Sequence, residues 1–255
     1  MRQIASWQNP GHWSRNLHRL IMRWGLSLQV KVAHVQCPSR FHDKTTHVPW
    51  PVLQLSAWLD TIFKKTKGAL LLNGFTVDDE QHERELQSFW ELYEKVAPNH
   101  EVYNAHRGRL HRVIPMHYHG DEGRGKLRRA ILVTSYVAGL PTPGHSFLSR
   151  FLCSCYPGER YATGHDGVDT LEALHGGVAQ DLLDLFNHGF EALAYIFLSL
   201  SLHQVVKGDG TKQTMYIAMI GVRGDWPWQS ALDALSPHAL ARLRKGAQAV
   251  HGIHK

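Results

Sequence analysis

Cysteine is scarce in this chain: Cys37, Cys153 and Cys155 are the three in 255 residues. No CxxC pair occurs, which removes the zinc-finger reading. Three thiols cannot all pair within one chain, and Cys153 and Cys155 lie too close for an ordinary bridge between strands. Free thiols in a reducing compartment follow. The apolar setting of Cys153 and Cys155 marks both as buried structural residues. Long apolar runs are lacking too. The longest, residues 190–202, is about a dozen residues and contains Glu191, which is too short and too polar to span a bilayer. The opening stretch MRQIASWQNPGHWSRNLHRLIMRW holds no apolar segment of the kind a signal peptide needs. A soluble intracellular protein with no membrane partner is expected. No GxSxG, P-loop or GxGxxG is present, nor any repeat or low-complexity tract.

What is present is apolar content of 43%, enough for one large domain or for one domain with a small helical appendage. Lys and Arg number 28 against 22 Asp and Glu, for a net charge of +6 and a pI near 9.3. A moderate basic excess suits a polyanion partner, and equally a plain solvated surface. Histidine is frequent, 19 residues, mostly placed singly.

Residues 1–50 are basic, rich in Trp and His, and weakly patterned. Within them 16–24 reads as a short helix, 28–35 as a strand and 37–48 as a loop. Residues 51–110 read as a helical segment. Leu55, Leu59, Ile62 and Phe63 recur at helical spacing, so one helix is expected over 51–72 with Asn73-Gly74 as its stop. A second, over 78–96, sets Leu86, Phe89, Trp90, Tyr93 and Val96 on one face for packing, with acids in its first turn. Residues 111–235 then run strand (113–123), strand (130–137), strand (147–156), helix (170–203) and strand (215–221). The second strand is expected antiparallel to the first. Gly176-Gly177 and Gly189 weaken the helix. Residues 139–144 and 208–210 read as turns and 157–169 as a loop. Residues 236–255 carry a basic C-terminal helix over 239–247, announced by Ser236-Pro237.

The chemistry concentrates in VIPMHYHGDEG, residues 113–123. An apolar run reaches His117 and His119, breaks at Gly120, and delivers Asp121 and Glu122. Asp225 stands at the end of a second apolar run, residues 216–223, and is likewise preceded by a glycine. Two-metal phosphoryl transfer needs carboxylates from different strands converging on Mg²⁺ or Mn²⁺. In the ribonuclease H-like fold the first acid sits on strand one and the second just after strand four. The expected strand order puts Asp121 and Asp225 there as catalytic and metal-binding acids, with Glu122 as a further metal ligand. Ordinary turn aspartates beside glycine are the plain alternative.

A different metal site competes. His117-x-His119-x-Asp121 resembles the HxHxDH opening of metallo-β-lactamase-type hydrolases, with Glu122 where that family has histidine. His119-x-Asp121 also matches half of an Fe(II) facial triad. Neither histidine needs a metal, since both alternate with Met116 and Tyr118 along a strand. Arg107, Arg109, Arg112, Arg124, Lys126, Arg128 and Arg129 bracket Asp121, and Trp226 and Trp228 adjoin Asp225. A DNA backbone needs such cations, and its bases stack on such rings. Arg112, Arg124, Lys126, Arg128, Arg129 and Trp226 form the candidate DNA-binding set.

FWELYEKVAPNH, RLHRVIPMHYHGDEGRG, SFLSRFLC and GVRGDWPW together resemble a large multicopy family of uncharacterised proteins in protist genomes. They resemble, more distantly, transposases of the Plavaka and CACTA type. The resemblance spans about residues 50–230, and HGDEGR and GDWP are its most specific pieces. It implies that Asp121 is the first acid of a DDE triad and Asp225 the second. The family pattern continues through a cysteine-containing segment to a third acid on a helix. Here no cysteine follows Cys155, and Asp233 is the one carboxylate side chain after Asp225. The site is therefore expected to be truncated or divergent.

The expected fold class is α/β, a ribonuclease H-like mixed sheet preceded by an N-terminal helical segment. The expected function is a transposase-derived, DNA-associated protein with a partial DDE-like site, whose DNA partner makes the nucleus a candidate compartment. The alternatives are a metal-dependent hydrolase centred on His117, His119 and Asp121, and a non-catalytic DNA-binding remnant.

Overall fold

The computed structural model describes Arg19, Arg23 and residues 28–124, 129–143, 146–190, 205–206 and 212–224. The chain divides into two units, residues 1–30 and 31–255, and the elements below belong to the second. In chain order they are β1 (Ala33–Phe41), β2 (Lys44–Val52), α1 (Leu55–Thr66), α2 (Gln81–Val96) and α3 (Glu101–His106). A 3-10 turn, Arg107–Arg112, leads into β3 (Val113–Arg124), β4 (Ala130–Ala138) and β5 (Arg150–Pro157). Then come α4 (Thr170–Asn187), the short β6 (Val205–Val206) and β7 (Lys212–Gln213), and β8 (Tyr216–Gly224).

The principal sheet has the order β5-β4-β3-β8. β3 pairs antiparallel with β4, and β4 with β5, whereas β8 lies parallel to β3. The fold is thus mixed α/β. The strand-strand-strand-helix-strand order expected from residue 113 is observed, with the short β6–β7 pair added before β8. A parallel pair needs a crossover between its strands, and α4 lies in the stretch of chain between β5 and β8.

Alternation along β3 divides its side chains between two cores. Ile114, Met116 and Tyr118 join Leu132, Tyr136, Ile217 and Met219 on the first face, beneath α4, α1 and the β1–β2 hairpin. Val113, Tyr216, Ala218 and Ile220 join Trp90, Val102 and Tyr103 on the second face. α2 and α3 are anchored there by side chains that bond the backbone. Trp90 Nε1–H donates to Val113 O at 2.8 Å, and Tyr103 OH donates to Trp90 O at 2.8 Å.

The expected loop over 37–48 is instead the β1–β2 hairpin. Its strands contain Pro38, Pro49 and Pro51. All three fall on alternate pairs of the same class counted from the His42-Asp43 turn. The alternate class of an antiparallel ladder points its N–H outward, which proline tolerates. The turn has no glycine, and His42 takes the left-handed conformation itself, φ 54°. The hairpin packs on α4 closely enough that a Cβ on Gly177 would lie 2.6 Å from Val35 Cγ2. Gly177 thus serves close packing rather than a break, and α4 runs through it.

The helix expected over 51–72 is shorter. It ends at Lys67, φ 51°, whose N–H bonds Phe63 O, and Gly68 follows at φ 85°. Asn73 and Gly74 are also left-handed but close the following turn. The first strand begins at Ala33 rather than residue 28. α4 ends at Asn187, and Gly189 (φ 72°) and the Phe190–Met215 bridge follow it, so no single helix runs from 170 to 203. The rest of the stretch to 203, the helices over 16–24 and 239–247, and the 208–210 turn lie wholly or largely outside the described residues.

Within α4, Asp181 caps a neighbour. Its Oδ2 accepts from Ser56 N–H at 3.2 Å, at the first turn of α1. Burial raises the Asp181 pKa, outweighing the donors from Ser56 and Leu55.

Candidate functional site

β3 is buried from Val113 to Met116, half-buried at His117 and His119, and exposed from Asp121 onward. On the second face, α2 and α3 cover the start of the β3–β8 pair. Among the described residues no helix covers the far half of this face, where Val133 and Leu152 are exposed. Register places its side chains in rows. Leu152, Ser135, His119 and Arg223 lie side by side across β5, β4, β3 and β8. One step further toward the end of β3, Cys155, Val133 and Asp121 form the next row.

Two bulges set these rows. In β8, Met116 pairs with Met219 and His117 with Gly221, which leaves Ile220 as the extra residue. The carbonyls around it are taken by the helices: His100 Nε2–H donates to Met219 O at 3.1 Å, and Tyr93 OH donates to Ile220 O at 3.0 Å. Val102 N–H donates to His100 Nδ1 at 3.2 Å, so His100 is held as the neutral Nε2–H tautomer. Simple alternation from Ile217 and Met219 would put Arg223 into the first core. The bulge turns it out to the second face, the common use of an inserted residue. In β5 the pairs Thr134–Ser154 and Ser135–Leu152 leave Cys153 as the extra residue. Cys153 stays buried and Cys155 becomes exposed. The expectation that both thiols are buried therefore fails for Cys155.

Asp121 is exposed, and its carboxylate has no ion pair or side-chain hydrogen bond among the described residues. Gly120, just before it, pairs in parallel register with Gly224, just before Asp225. Asp225, Trp226, Trp228, Lys126 and Arg128 lie outside the described residues. Glu122 takes the opposite side of β3, where its Oε1 accepts from Tyr161 OH at 3.3 Å. Successive strand residues face opposite ways, so the structure does not bring Glu122 to Asp121.

His117, His119 and Asp121 share one face, but a strand spaces alternate residues by about 6.6 Å. Among the described residues no group of three His, Cys, Asp or Glu is placed to hold a metal. The His117 ring is kept neutral: burial first, and then the charge of Arg223, lower its pKa to about 4.

Several cations of the expected basic band have partners within the chain. Arg107 pairs with Glu94 at 2.9 Å, and Arg129 with Glu159 at 2.7 Å. Arg109 lies 4.2 Å from the Tyr216 ring centroid and bonds His106 and the Tyr216 hydroxyl. Arg112 is half-buried, and Arg124 is exposed at the end of β3. Arg223 and Ser135 were not singled out by sequence. Arg223 stands two residues before Asp225, the alternation that Asp121 shares with His119, but the bulge hid the parity.

Beneath the site, the first face buries a polar group. Cys153 is surrounded by the hydroxyls of Tyr118, Thr134 and Tyr136, and burial still raises its pKa despite them. The Tyr118 hydroxyl and His175 Nδ1 share a hydrogen bond at 3.2 Å. Burial lowers the His175 pKa to about 4. These groups are closed off from solvent, so they pack and orient the sheet rather than meet a substrate.

No described helix is long and apolar enough to cross a membrane. No family model, curated protein or solved structure matches the chain.

Proposed function

We propose that this is a ribonuclease H-like, transposase-derived, DNA-associated protein in which Asp121 and Asp225 form a phosphoryl-transfer pair for Mg²⁺ or Mn²⁺. The observation that carries the reading is the parallel pairing of Gly120 with Gly224. Each glycine is followed at once by one of the two aspartates. The sheet around them supports it. Its order puts the first strand in the middle, with the second and third strands antiparallel on one side and the fourth parallel on the other. That order supports the ribonuclease H-like reading.

The donor chemistry suits a hard cation. Asp121 offers an exposed carboxylate with no competing ion pair among the described residues, and Mg²⁺ is commonly held by one or two carboxylates plus water and substrate phosphate. A metal bound there would stabilise charge on the transferring phosphoryl group. The role of the chain is to hold Asp121 at the end of a central strand. Glu122, turned to Tyr161, belongs to the scaffold. Asp233 is the one side-chain carboxylate within the chain beyond Asp225. Whether a third acid completes the site decides between an active enzyme and a DNA-binding remnant of one.

Electron paramagnetic resonance titration of the full chain with Mn²⁺ tests the pair. Asp121→Asn and Asp225→Asn are each expected to weaken Mn²⁺ binding by at least about tenfold, the loss of one charged ligand. Binding that ignores both substitutions would sink the proposal.

A further inference from the structure

We propose that Arg223, His119 and Ser135 form a phosphate-binding row beside Asp121, which takes the backbone oxygens of a DNA strand laid across the open face. The proposal rests on the phosphoryl-transfer reading for the identity of its ligand.

The row is fixed by register. Ser135 lies opposite His119, and His119 opposite Arg223, on three adjacent strands. Neighbouring strands are about 4.8 Å apart, and Asp121 lies one step of about 6.6 Å along β3. A hydroxyl, an imidazole and a guanidinium thus line up perpendicular to the strands, next to the carboxylate that would hold the metal. Arg223 is the anchor, because a guanidinium presents a fork of donors that matches phosphate oxygens.

Arg223 differs from the other arginines of this region. Arg107, Arg109 and Arg129 are committed to Glu94, to His106 and Tyr216, and to Glu159. Arg223 is exposed and takes no such partner among the described residues. It does no packing, yet a bulge secured by His100 and Tyr93 serves to face it outward. An ordinary alternating β8 would have turned this cation into the first core.

Fluorescence anisotropy of a short single-stranded DNA oligonucleotide with the full chain, in EDTA and across a salt series, tests the row without the metal. Arg223→Gln is expected to weaken binding about tenfold, the value of a charge-assisted contact. It should also flatten the logarithmic salt slope by about 0.7, the loss of one phosphate contact. Arg223→Lys should keep the slope. His119→Gln combined with Ser135→Ala should weaken binding about threefold or more. Asp121→Asn should bind as well as the unsubstituted chain or better, since a like charge is removed. Thermal melts of each variant show that the fold is intact. Wild-type affinity and slope in both Arg223→Gln and the His119/Ser135 double variant would overturn the row. The Mn²⁺ titration separates the two proposals: loss of Mn²⁺ binding in Asp121→Asn alongside unchanged DNA binding in both Arg223→Gln and the His119/Ser135 double variant would leave the metal pair standing and remove the row.

Discussion

On the first face of the sheet Ile114, Met116, Tyr118 and Tyr136 are fully covered. On the second, Val113 is sealed under Trp90, while Val133 and Leu152 remain 38% and 44% exposed. The same strands supply both faces, by the same alternation. What differs is the helices laid on them. α4, α1 and the hairpin span the first face, whereas α2 and α3 reach only the beginning of the β3–β8 pair. The covered half of the second face holds the strands in place. The open half carries Asp121, His119, Ser135 and Arg223, which gain nothing for the core where they stand. The division between scaffold and site thus runs across one face of one sheet, roughly at His117.

Removing the covering side chain breaks this comparison most severely. Trp90 is completely buried and bonds Val113 O. Trp90→Ala leaves a large cavity and an unpaired carbonyl, and should cost ~3–5 kcal/mol in urea unfolding. A loss under about 1 kcal/mol would mean that α2 does not hold the sheet.

The buried histidines sharpen the contrast through pH. His175 on the first face and His106 at the edge of the second are each lowered to about 4, His175 by burial and His106 by burial and then the charge of Arg109. His106 Nδ1 accepts from Arg109 and its Nε2–H donates to Phe186 O, so neither nitrogen has room for another proton. A folded pKa below the unfolded value of about 6.5 means that the native state binds fewer protons. Stability is therefore complete above about pH 6.5 and is lost as pH falls toward 4, by roughly 3 kcal/mol per histidine at full protonation. Denaturant midpoints measured between pH 7 and 4 should fall steeply, and His175→Phe should flatten that fall by about one proton's slope. A pH-independent midpoint would show that these rings are not buried in solution.

The strands of the sheet were legible in the sequence because each is an apolar run bounded by glycine or proline, and their order followed. The hairpin was not, since three prolines on outward-facing positions look like a loop until the partner strand is known. Asp121 was legible from the break at Gly120. Arg223 was not, because one inserted residue, Ile220, reverses which face it takes, and a bulge has no reliable sequence signature. The partners of the basic residues were not legible either. Arg107, Arg109 and Arg129 are clustered in sequence, but Glu94, His106 with Tyr216, and Glu159 claim them in space.

The smallest expected effect tests the open half directly. Leu152→Ser and Val133→Thr replace apolar groups that are only about half covered, so each should cost no more than about 1 kcal/mol of unfolding stability. So small a loss would set these positions apart from Trp90, although all three stand on the same side of the sheet. A loss above ~1.5 kcal/mol would mean that something covers the face in solution. Repeating the unfolding at several protein concentrations then tells what it is: a midpoint that rises with concentration points to a second copy of the chain, and a constant one to the chain's own residues. Either cover would compete with DNA for the row that Arg223, His119 and Ser135 occupy, so the same two substitutions that cost stability would then have to raise DNA affinity.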